Sequence, residues 1–138
     1  MSSTLTPEGV ELGKFFKVSA RQFEAGHIAP EMFATAIDAE WHRLMETPEY
    51  AAFCAEHAGQ AIGHSRAKGA GEISWISAYE EMFGPLPKIW FTDEDGQVDE
   101  RALAGYRESG VVVAEWDCSP IPGDGGDLAP EQEKALFR

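Results

Sequence analysis

The sequence predicts an α+β domain, mainly helical, with about four helices and a small two-stranded β element in the C-terminal half. Three observations predict it. Apolar residues recur at helical spacing behind proline and hydroxyl start signals through the first sixty residues. Short β-branched and aromatic runs bounded by turn residues take over after residue 87. Finally, 138 residues with 43% hydrophobic content, including eight Phe, four Trp and three Tyr, can enclose one core and leave little for a second.

The first helix starts at Thr6-Pro7-Glu8, where a hydroxyl caps free amides, proline fits the first turn and an acid meets the positive end of the dipole. Leu5 and Val10 stand at staple positions, and Leu12, Phe15, Phe16, Ser19 and Phe23 form the inward stripe as far as Gly26. A second helix is expected from Pro30, stapled by Ile28 and Phe33, with Ile37, Trp41 and Leu44 facing the core. A third repeats the capping chemistry at Thr47-Pro48-Glu49 and ends at Gly59. Residues 63–71, with three glycines and no large apolar side chain, read as a mobile loop and hinge. A fourth helix follows from Ser74 to Phe83, stopped by Gly84-Pro85.

Two strands are expected next, at Lys88–Phe91 and Val111–Trp116, joined by a short helix that Asp99 caps and that runs to Tyr106. The globular domain is drawn as residues 1–118. Residues 119–138 read as a proline, glycine and acid tail, with a short helix possible at Ala129 to Phe137.

The formal charge is −13, from 24 acids and 11 bases, and residues 71–138 carry most of it. Such a field disfavours nucleic-acid backbones and anionic membranes. It fits either a solvated surface or an acidic face for a basic protein partner. No apolar run reaches the ~18 residues of a bilayer crossing, and residues 1–6 lack a signal peptide's pattern, so a cytoplasmic protein is expected. Two cysteines are too few for a disulfide framework.

Chemistry-bearing residues concentrate between positions 42 and 64: His42, Cys54, His57 and His64. Cys54 and His57 are three apart on a predicted helix and so share a face. His42 lies near the end of the preceding helix, and His64 arrives from the glycine loop. Thiolate and imidazole together suit zinc, making these four the expected metal ligands. Asp38, one turn before His42, is placed to orient its ring from outside the ligand set. The same residues also have plain structural readings. A histidine in a last helical turn is favoured by the dipole, free cysteine often behaves as a small buried hydrophobe, and Asp38–His42 can be a surface pair.

Ile37-Asp38-Ala39-Glu40-Trp41-His42, then Tyr50, Phe53-Cys54 and Gly63-His64, resembles the Val-Asp-x-x-Trp-His, Tyr-x-x-Phe-Cys, His pattern of the glycine-rich-domain-containing protein family. The similarity covers about residues 37–64. It departs from the pattern at Leu44, where the family has a second histidine, and the glycine-rich tract is missing. The resemblance implies a shared constellation of Asp38, Trp41, His42, Cys54 and His64, and it implies no particular reaction. His57 lies outside it.

The leading functional expectation is therefore a metal-binding accessory or binding module. Two alternatives stand beside it. One is a small-molecule enzyme that uses the metal, or Cys54 as nucleophile with His42 or His64 as base. The other is an acidic interaction module without a metal. Cys118 has acidic neighbours that would raise its pKa, and a structural or incidental role is expected for it. Asp93-Glu94-Asp95-Gly96 is a turn and not a calcium loop, since in EF-hand register the first and twelfth positions are Phe91 and Ala102. No nucleotide-binding or serine-hydrolase motif occurs.

Overall fold

The computed structural model describes residues 6–27, 30–66 and 68–123, and all structural statements concern these. The element order is α1 (Pro7–Glu24), α2 (Thr35–Met45), α3 (Tyr50–Ala58), β1 (Ile62–Ser65), β2 (Gly69–Glu72), α4 (Ile76–Phe83), a 3₁₀ turn (Lys88–Phe91), α5 (Glu100–Ser109), β3 (Val113–Trp116) and β4 (Ser119–Pro122). The class is α+β and mainly helical, as expected, with two separate two-stranded antiparallel sheets: β1 with β4 and β2 with β3.

Helix α1 is the central element. The Thr6 hydroxyl accepts from the Gly9 amide at 3.0 Å, and Leu12, Phe15, Phe16 and Val18 are fully buried against α2, α3 and α4. Each such side chain contributes about 1.5–3 kcal/mol of burial. Phe15 packs on Trp75 and Trp90, and Phe16 packs edge-on against Trp41 and Phe53. One carboxylate lies within this apolar body. Glu11 Oε1 accepts from the Tyr79 hydroxyl (2.5 Å) and from Trp90 Nε1 (2.9 Å), while Oε2 meets Lys14 Nζ at 3.3 Å. Those donors offset its desolvation, as a buried charge requires.

The structure corrects the sequence reading at several places. Helix α2 begins at Thr35, not Pro30, because the preceding residues are held extended by tertiary bonds. The Met32 amide donates to the Cys118 carbonyl, and Glu31 accepts from Ser74 and, through its backbone carbonyl, from Trp75 Nε1. Ile28 and Leu5, the expected staples, lie outside the described residues. Helix α3 begins at Tyr50, since the Thr47 hydroxyl donates to Leu44 O and closes α2 instead of capping α3.

The segment expected as a glycine-rich hinge supplies β1 and β2. Its glycines create space for packing: a Cβ on Gly69 would lie 2.4 Å from the Trp116 ring, so only glycine lets β2 run beneath that indole. Lys88–Phe91 is a 3₁₀ turn and not a strand, the Trp90 amide bonding back to Pro87 O. Its expected partner β3 pairs with β2 instead. Ser119–Pro122, composed like a tail, is β4, with Ser119 and Pro120 buried beside β1. The possible helix at Ala129 to Phe137 lies outside the described residues. Asp99 caps α5 as expected, through Ala102 N at 3.0 Å, and Asp93 Oδ1 closes the predicted turn by accepting from Asp95 N and Gln97 N. No described helix is long and apolar enough to cross a membrane.

Candidate metal centre

Three elements meet at one corner of the fold. The i, i+4 spacing on α2 puts Asp38 and His42 on one face, with His42 Nε2 and Asp38 Oδ1 3.4 Å apart. Strand β1 carries His64, which is 1% exposed and packs between the rings of Trp41 (4.7 Å) and His42 (4.6 Å), edge-on to both. Strand β4 pairs antiparallel with β1, opposing Pro120 to His64, and this brings in the residue just before it, Cys118. The Cys118 thiol donates to Asp38 Oδ1 at 2.9 Å, and its carbonyl is fixed by the Met32 amide at 3.1 Å.

One ligand atom from each of Asp38, His42, His64 and Cys118 therefore lies within 4.8 Å of every other. A tetrahedral zinc site with arms of ~2.0–2.3 Å has edges of about 3.3–3.8 Å, so small side-chain movements would close the group around an ion. His64 and Cys118 are buried, while the His42 side chain is 46% exposed and that of Asp38 27%, which leaves the corner open to solvent on the α2 side. Behind the group, Trp41 Nε1 donates to the Tyr50 hydroxyl (3.1 Å), which donates to Ile62 O (2.8 Å). That relay ties α2, α3 and β1 together two residues before His64.

Of the residues singled out from the sequence, His42, His64 and Asp38 come together, and Asp38 stands among the candidate ligands and not behind them. Cys54 and His57 lie outside the group. Their shared face on α3 is used for packing. The Cys54 thiol is enclosed between the Tyr50 side chain and the Ile62 backbone, and burial raises its pKa. The His57 ring lies over α1, where a Cβ on Gly13 would fall 2.6 Å from its Nδ1, and it contacts Phe53 at 4.4 Å. Its Nε2 is buried without a hydrogen-bond partner among the described residues, and burial lowers its pKa, Glu56 opposing that and Lys17 adding to it.

Cys118 is the member sequence reasoning did not select. It stands 80 residues from Asp38, and its acidic neighbours argued against a reactive thiol. The available signal was its place between a strand and the small, rigid Ser119-Pro120 pair. The assembled donor set is one sulfur, two imidazole nitrogens and one carboxylate oxygen, a combination that could hold a borderline-soft transition metal. Comparison with protein-family models, curated proteins and solved structures gives no match to the chain.

Proposed function

We propose that the protein is a zinc-binding module whose ligands are Asp38, His42, His64 and Cys118. The observation that carries this is the convergence of four ligand atoms of the right chemistry within 4.8 Å. Four protein ligands would saturate a tetrahedral ion, which is the pattern of a structural or binding centre and not of an open catalytic one. A bound ion would replace the Asp38–Cys118 hydrogen bond by metal bonds and would clamp α2 to the β1–β4 sheet. The resemblance of residues 37–64 to the glycine-rich-domain-containing family agrees with this grouping for Asp38, His42 and His64, and not for Cys54.

The test is elemental analysis of protein purified without chelator, with cobalt as spectroscopic substitute. About one zinc per chain is expected, together with a thiolate-to-cobalt charge-transfer band that Cys118→Ser abolishes and Cys54→Ser leaves intact. Folded protein that takes up neither metal overturns the proposal.

The exposure of Asp38 and His42 favours one second reading, an enzyme in which Asp38 leaves the ion to a water and acts as base. A cobalt spectrum showing three protein ligands and a water would support it. The reading of Cys54 as nucleophile gains nothing from its environment, since burial raises the pKa of that thiol.

A further inference from the structure

On the far side of α2's first turn lies a groove of about 490 Å³ with no part in the metal group. Its floor is aromatic, from Phe33 and Phe91, and among the described residues its lining includes Asp93, Asp99 and Glu115 and no Lys, Arg or His. All three carboxylates are exposed, and two are held in place by the loop itself, Asp93 Oδ1 by the Asp95 and Gln97 amides and Asp99 Oδ1 by the Ala102 amide.

The remaining wall runs along β3, with four consecutive residues from Val112, just before the strand, to Glu115. Side chains of a strand alternate between faces, so a run of consecutive lining residues means that the strand's edge borders the groove. The ladder identifies which backbone groups that edge presents. Ile73 N donates to Val112 O at 2.9 Å, which makes this opposed pair a hydrogen-bonded one, and in an antiparallel ladder such pairs alternate. The Gly71–Ala114 and Gly69–Trp116 pairs are then bonded, while Val113 and Glu115 aim their N–H and C=O groups away from β2, towards the groove. Outside the β2–β3 ladder, none of these four groups is bonded to another backbone group among the described residues. Val113 is also the most exposed large hydrophobic side chain described, at 71%.

We infer that this groove is a strand-addition site that takes an extended peptide segment of a partner protein, apolar and basic in alternation. Backbone pairing to Val113 and Glu115 supplies the register, the aromatic floor takes alternate apolar side chains, and the three carboxylates select lysine or arginine at the intervening positions. The proposal shares no residue with the metal group and does not depend on it.

The probe is a fluorophore-labelled hexapeptide of alternating lysine and valine, acetylated and amidated at its ends, followed by anisotropy with the full chain. Measurements with added zinc and with chelator should agree. Saturable binding is expected, weakened about tenfold or more when the peptide's central amides are N-methylated, because lost backbone pairing cannot be made up by charge. Val113→Pro should weaken it similarly while preserving the β2–β3 ladder, since that N–H faces away from β2. Glu115→Lys should weaken it and flatten its salt dependence.

Equal binding of the N-methylated peptide would reduce the site to non-specific charge attraction and overturn the inference, as would no binding at all. Concentration-dependent self-association that blocks the peptide would assign the edge to a second copy and overturn it too. Should Val113→Pro fail to fold, the N-methylated peptide still decides.

Discussion

Two polar clusters built around a carboxylate sit in this small protein, and they differ in what surrounds the acid. Around Glu11 every neighbour is a donor: the Tyr79 hydroxyl, the Trp90 indole and the Lys14 ammonium. Around Asp38 the neighbours are a thiol and an imidazole, with a second imidazole beside them, and each of these becomes a lone-pair donor once it is deprotonated. The first cluster is complete as it stands and ties α1 to α4 and the 3₁₀ turn. The second gains an interaction when a cation arrives. Closeness of polar groups is common to both, so it is the balance of donors and ligands that marks a candidate metal centre.

Breaking the first cluster should cost the most. Glu11→Leu leaves the Tyr79 hydroxyl and the Trp90 N–H buried without their acceptor, and urea unfolding should show a loss of about 3 kcal/mol or more. Zinc binding in that variant should be unchanged wherever it remains folded. A loss below ~1 kcal/mol would mean that the cluster does not hold α1 and α4 together.

The second cluster should respond to metal alone. With free zinc at about a hundred times its dissociation constant, stability should rise by about 2.7 kcal/mol, read as a thermal shift that chelator reverses. His64→Ala should abolish the shift and Glu11→Gln should not. A shift that survives His64→Ala places the ion elsewhere. The two cysteines sharpen the contrast further. Zinc should slow alkylation of Cys118, its sulfur being taken by the metal, and should leave the slow reaction of Cys54 as it was. Protection of both thiols, or of Cys54 only, would move the centre towards α3.

The smallest effect concerns His57, a histidine with no part in either cluster. Burial holds its folded pKa below the ordinary 6.5, so the unfolded chain takes up a proton first. Its contribution to stability is intact above that value and is lost as pH falls through it. From pH 7.5 to 5.5 the native protein should lose stability relative to His57→Leu, a comparison in which His42 and His64 cancel. Parallel curves for the two proteins would show that the ring is solvated.

Features under local chemical control follow from the order of residues alone. The Thr6 cap and Pro7 start α1, Asp99 starts α5, Gly59, Gly84 and Gly110 follow the last turns of their helices, and i, i+4 spacing puts Asp38 beside His42. Those features depend on bonds within a few residues. Tertiary structure decided everything that needed a distant partner. Met32 draws residues before α2 out of the helix that Pro30 announces, β4 and β3 turn a glycine-rich stretch into two strands, and Cys118 reaches Asp38 across the chain.

The physical reason is the same in each case. Short segments rich in glycine or proline have weak preferences of their own, so the backbone bonds and packing offered by a distant strand outweigh them. The Cys54–His57 pair shows the converse. Spacing put both side chains on one helical face, and only the packing of α3 on α1 determined that the face met apolar neighbours and not the other histidines.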